Sequence, residues 1–193
     1  MERIKWIDIA KGWGIILVIC GHVGDDYFTT WLYTFHIPLF FFLSGYFFNP
    51  SKSPSEILRS KVKSLLLPYV TLGMPLFFIN LYFGFEPIVL LKGYVIQQRA
   101  STLWFIAALF MQFVIAYILY NVITQPIIRW VVISIITVLG VFLWHNDVSS
   151  LPWNVDVSLV TLPFFCIGYY LCTSCRFNKL LNLKNLFGII SFL

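Results

Sequence analysis

Asp8, Lys11 and His22 fall inside or at the edge of one apolar run, WIDIAKGWGIILVICGH, and His36 falls in a second, FHIPLFFFLSGYFF. An Asp or Lys near the centre of a hydrocarbon layer costs about 2.5–3.5 kcal/mol on insertion scales, so such residues are retained for a reason. If the first run is helical, a turn of about 100° and a rise of about 1.5 Å per residue set Lys11 and His22 within about 20° of one another and about 16 Å apart. Asp8 lies one turn from Lys11 and can neutralise it. His36 sits a few residues below the outer end of the second run, at a depth close to that of His22 on an antiparallel neighbour, so the two imidazoles can converge. Pro38 removes a backbone donor beside them, and Ser44-Gly45 permits close backbone approach farther down. Histidine is the usual positioned base for a hydroxyl at neutral pH, typically worth about 10²–10⁴-fold in rate. The competing view is that these groups only bond one another between helices.

Other chemistries find less support. Two histidines without a carboxylate at their depth fall short of a metal ligand set, so no metal is expected. No G-x-S-x-G elbow occurs. Cys172 and Cys175 form a single CTSC, weak evidence for zinc without a second pair, while Cys20 and Cys166 read as packing residues. Nothing suggests a flavin or nicotinamide.

The elements that must carry these residues are membrane helices. Of the residues, 60% are hydrophobic and only 11% charged, against about 25% charged in soluble domains. The apolar blocks approach the roughly 20 residues needed to cross a bilayer core. Runs such as ISIITVLGVFLW are apolar throughout, which excludes the alternation of a barrel strand. We expect an all-α integral membrane protein, a polytopic bundle with six complete spans near 6–23, 31–48, 65–85, 102–121, 129–145 and 157–172, and the start of a seventh near 186. No linker or repeat divides it, so residues 1–193 read as a single transmembrane domain. The first span is no cleaved signal peptide, because Asp8 and Lys11 interrupt it.

Charge sets the orientation. With the N-terminus in the cytoplasm, Arg3, Lys5, Lys52, Arg59, Lys61, Lys63, Arg129, Arg176, Lys179 and Lys184 fall inside and only Lys92 and Arg99 outside. Asp25, Asp26, Glu86, Asp147 and Asp156 collect on the outer face, and Trp6, Trp31, Trp104, Trp130 and Trp144 lie near span ends as an interfacial belt. The net charge of +5 is thus accounted for by topology, and no nucleic acid partner is implied.

WIDIAKGWGIILVICGH, FHIPLFFFLSGYFF and the basic stretch leading to LLLPY resemble the membrane acyltransferase-3 family, particularly its fucose 4-O-acetylase-like branch. LWFIAALF at 103–110 and LPFFCIGYYL at 162–171 are similar as well, so the resemblance runs in order through most of the chain. Its most specific element is a basic residue, ten intervening positions and a histidine, here Lys11 and His22, joined to HIPLFFFLSGY.

The resemblance implies O-acyl transfer, usually acetyl from acetyl-CoA, onto a hydroxyl of a cell-envelope sugar or polysaccharide. His22 would take the hydroxyl proton, Lys11 with Asp8 would organise the site, and His36 would orient or polarise a reactant. Arg59, Lys61 and Lys63 would face the cytoplasm and hold the phosphates of acyl-CoA; as a plain charge run they would mark topology and meet anionic headgroups. Where the family often carries two arginines three apart, this chain has Lys61 and Ser64. The family typically has about ten membrane helices, so the chain reads as its N-terminal portion, in a bacterial-type plasma (inner) membrane. Export of a polysaccharide or acyl metabolite, and a non-catalytic membrane module, are the competing functions.

Overall fold

A computed structural model describes residues 5–23, 26–97, 103–146 and 151–174, without the side chains of His22 and Asp26. Eight α-helices occur among them: α1 (Lys5–Val23), α2 (Asp26–Tyr46), α3 (Pro54–Lys61), α4 (Leu67–Tyr82), α5 (Pro87–Ile96), α6 (Trp104–Val122), α7 (Pro126–His145) and α8 (Val155–Thr173). No strand appears among the described residues. The chain is an all-α membrane protein.

Local sequence accounts for most helix ends. Ser53 accepts from the Glu56 amide at 3.3 Å while Glu56 accepts from the Ser53 amide at 3.1 Å, a capping box that starts α3 with Pro54 in its first turn. Between α3 and α4 one wide π-turn, Val62–Leu66, has the Leu67 amide bonded to the Val62 carbonyl. Pro68 follows at once. Its ring would press on the Ser64 carbonyl of a regular helix, and the wide turn relieves that conflict. The Arg129 guanidinium donates to the Ile123 carbonyl at 3.0 and 2.6 Å, closing the end of α6 and lying 4.1 Å from the Tyr120 ring centre.

Four helical stretches are long and apolar enough to cross a membrane: Pro54–Tyr82, Trp104–Val122, Pro126–His145 and Pro152–Thr173. The expectation of six spans is therefore met by four among the described residues. At 19 and 21 residues α1 and α2 have the length, and Thr29, Thr30, Thr34 and His36 make the second less apolar. The expected seventh span near 186 lies outside the described residues. Two connections also differ from expectation. Helix α2 resumes at Asp26, leaving little of the anticipated 24–30 loop, and the 86–101 stretch contains α5, at ten residues too short to span. Ile127, Val131, Ile135, Val138 and Phe142 on α7 are all exposed at three- and four-residue spacing, an apolar face suited to lipid. Cys166 is buried, whereas Cys20 is exposed and packs into no core.

The chain forms two compact units. One carries α1, α2 and α8 from Phe164 onward; the other is Asn49–Pro163. In the first, Ile7, Leu43 and Tyr46 form a buried cluster, with the Trp6 ring edge-on to Tyr46 at 5.4 Å. Helices α2 and α8 touch there at their backbones. A Cβ on Gly45 would sit 1.9 Å from the Phe165 carbonyl oxygen, and one on Gly168 would sit 2.1 Å from that of Phe42. Each helix thus presents a glycine to a carbonyl three residues before the other's glycine.

In the second unit, three buried polar residues at and just before the start of α8 face α6. Asn154 Nδ2 donates to the Trp104 carbonyl at 3.3 Å, and Ser158 Oγ to that of Ala108 at 2.8 Å. The Thr161 hydroxyl lies 2.8 Å from the Val157 carbonyl and 3.2 Å from Gln112 Oε1. On α7, Gly140 lets Leu159 and Val160 approach, since a Cβ there would meet them at 2.8 and 3.1 Å. Trp153 and Asn154 both adopt positive φ, 59° and 52°. The Trp153 ring stacks on Tyr69, whose hydroxyl donates to the Tyr94 carbonyl at the end of α5 and accepts from Gln97 Nε2 at 2.8 Å.

Replacing Gly45 or Gly168 by Leu should lower the stability of the inserted protein by about 1–3 kcal/mol or more, as expected for overpacking against unyielding backbone. Thermal unfolding in detergent checks it; unchanged melting in both variants would mean that the helices do not meet there.

Candidate active site

Helix α1 is continuous from Lys5 to Val23. Its buried stripe is Ile7, Gly14 and Gly21, seven residues apart, and these face α2: a Cβ on Gly14 would meet the Phe40 ring at 2.8 Å and one on Gly21 would meet Leu32 at 3.9 Å. Lys11 lies about 40° around the helix from Ile7, at the margin of that stripe, with His22 about 20° farther. The Lys11 ammonium sits 4.9 Å from the centre of the Phe47 ring. Both Asp8 and Lys11 are exposed on the described chain. The side chain of His22, and with it the convergence of His22 and His36, lies outside the described residues.

His36 is buried, only 3% exposed. Its Nδ1 is 2.7 Å from the Leu32 carbonyl, one turn back on α2, and its ring lies 4.9 Å from that of Tyr33. A carbonyl only accepts, so Nδ1 carries the proton and Nε2 is the basic nitrogen of the neutral ring. The contact fixes tautomer and orientation together.

The basic run does not act as one row. Four residues apart on α3 and its continuation, Arg59 and Lys63 share a side and are exposed. Lys61 points the other way, half-buried, its ammonium 3.5 Å from the Phe113 ring centre on α6. At that distance a cation is held by the ring quadrupole. The Tyr117 hydroxyl donates to the Lys52 carbonyl at 3.3 Å, which keeps the start of α3 beside the same helix. Ser64, where the second arginine of the family pattern would stand, falls within the π-turn.

Sequence reasoning missed the polar contacts between α6 and α8. Their signal was present: Asn154, Ser158 and Thr161 recur at four and three residues, facing Trp104, Ala108 and Gln112 at steps of four.

The family model for the acyltransferase domain matches residues 4–193. The chain belongs to the acyltransferase-3 family. That match embraces Asp8, Lys11, His22, His36 and the whole basic run, and makes this a membrane acyltransferase domain. No curated protein and no solved structure matches the chain.

The separation of Lys61 from its neighbours predicts a coupling between Lys61 and Phe113. A double-mutant cycle of Lys61→Met and Phe113→Leu, read by denaturation, should give about 0.5–2 kcal/mol, the range for cation–ring contacts from exposed to desolvated. Strict additivity would place the ammonium elsewhere.

Proposed function

We propose that this acyltransferase-3 domain transfers an acetyl group from acetyl-CoA to a hydroxyl of a cell-envelope sugar or polysaccharide, in a fucose 4-O-acetylase-like manner. The observation that carries the proposal is the unbroken helix α1, which places Lys11 and His22 on one face in a chain matched by the family over residues 4–193. In the proposed reaction, His22 removes the hydroxyl proton as the sugar oxygen attacks the thioester carbonyl. The tetrahedral intermediate collapses with cleavage of the carbon–sulfur bond. The coenzyme A thiolate leaves and is protonated by the imidazolium, so His22 returns to its neutral form. Lys11, with Asp8 nearby, supplies positive charge where the oxyanion develops. His36, its ring held at Nδ1 by the Leu32 carbonyl, orients or polarises a reactant.

Donor binding falls to the basic run. Arg59 and Lys63 present exposed charge to the phosphates of acetyl-CoA, and Lys61 adds a charge fixed on Phe113. In this reading the run and the N-terminus lie on the cytoplasmic side of a bacterial-type inner membrane, where acetyl-CoA is available; the excess of Lys and Arg on that side of the expected topology supports the orientation.

His22→Ala should abolish acetyl transfer while insertion and thermal stability persist. Lys11→Ala should reduce transfer strongly, whereas Lys11→Arg, which keeps the charge, should retain a substantial part. Transfer by folded His22→Ala at the wild-type rate would remove His22 from the role of base.

A further inference from the structure

Helix α5 doubles back along α4 within the second unit, and two tyrosines hold it there. The turn between the helices is short: the Phe85 amide donates to the Asn80 carbonyl at 3.2 Å, and Gly84 takes a φ of 85°. Tyr69 Oη donates to the Tyr94 carbonyl and accepts from Gln97 Nε2, which fixes the C-terminal end of α5 against the first turn of α4. The Tyr94 hydroxyl shares a hydrogen bond with the Asn80 side chain. Tyr69 lies midway along the 29-residue helical stretch Pro54–Tyr82. The ten residues of α5 rise about 15 Å, half of a hydrocarbon core about 30 Å thick. Helix α5 thus runs from the Tyr82 end of α4 toward the middle of the layer, along one leaflet.

A groove of about 340 Å³ lies between the two helices, at the low end of the roughly 300–1,000 Å³ that holds small molecules. Tyr69, Gly73, Phe77 and Tyr94 make its floor, the Phe77 ring edge-on to Tyr94 at 5.9 Å. Met74 and Phe78 on α4 and Leu91 and Val95 on α5 make its rims, and all four are exposed. Both tyrosine hydroxyls are engaged as described, so the groove offers its occupant hydrocarbon and ring surface. No residue of α5 is buried, and a chain laid along the groove supplies apolar contact that this short helix lacks.

Lys92 is the one charged residue of α4 and α5. It is exposed and stands about 60° around α5 from Val95 of the rim. Helical side chains lean toward the N-terminus, so its ammonium reaches back toward the Pro87 end, the direction of the headgroups. Glu86, at the N-cap, stands about 120° around the helix from Lys92. We propose that the groove between α4 and α5 binds one phospholipid, with an acyl chain laid between the helices and an anionic headgroup on Lys92. The match of α5 to the depth of one leaflet, the apolar lining and the single positive charge beside the rim are the grounds for this occupant.

The test equilibrates the protein, purified in mild detergent, with mixed micelles of equal phosphatidylglycerol and phosphatidylcholine, and counts by native mass spectrometry the lipid retained after gel filtration. One lipid per chain is expected, with phosphatidylglycerol favoured about fivefold, as one basic residue near a headgroup allows. Met74→Trp and Leu91→Trp, which lay a ring across the groove from exposed positions, should lose the lipid while their thermal unfolding stays that of a folded protein. Lys92→Gln should keep the lipid and take the two headgroups equally. Wild-type protein that retains no lipid or shows no headgroup preference, or equal retention in the wild type and both tryptophan variants, overturns the site. A lipid-free dimer that the tryptophan variants dissociate would give this face to a second copy of the chain and overturn it as well.

Discussion

Hydrocarbon offers no hydrogen bonds, and every polar group that a membrane helix buries must find its partner in the protein. That constraint shapes most of the buried polar contacts described, with the Nε2 of Gln112 on α6 an exception. Asn154, Ser158 and Thr161 turn to carbonyls and an amide of α6, Tyr69 closes the end of the short helix α5, and Arg129 closes that of α6. His36 spends its Nδ1 proton on the Leu32 carbonyl. The same rule that costs the protein these bonds gives it orientation, because each bond fixes the direction of the side chain that makes it. A histidine held in this way has its tautomer chosen before any substrate arrives.

Close packing works beside it. Where polar partners are lacking, α2 and α8 gain contact by removing side chains altogether, with Gly45 and Gly168 each admitting a carbonyl of the other helix. In a bilayer, where lipid tails are as apolar as leucine, such backbone approach is a principal source of helix association. The glycines of α1 serve the same end, since Gly14 and Gly21 seat it on Phe40 and Leu32 and leave Lys11 at the margin of the contact.

Sequence alone made the helical membrane class and the family legible, because apolar block length and the Lys11–His22 spacing are properties of the chain in one dimension. The close approach at Ser44-Gly45 was legible for the same reason. Helix α5 was not, because the ten residues Pro87–Ile96 read equally well as a connection, and its end depends on Tyr69, 25 residues before the carbonyl it caps. The splitting of the basic run could have been read from helical phase, which puts Lys61 opposite Arg59 and Lys63, but its holder Phe113 comes from a distant helix. Four of the six expected spans are found among the described residues, and in α2 the polar content includes His36, a residue of the proposed chemistry.

The central claim is acyl transfer to a sugar hydroxyl, and the most direct measurement supplies radiolabelled acetyl-CoA to membrane vesicles containing the protein, with its cytoplasmic face outward and envelope glycan enclosed. The account predicts that label appears on the glycan as an ester, released by mild alkali, and only when the protein is present. Movement of glycan or acyl metabolite across the membrane with no ester label on the glycan would contradict it and make export the function.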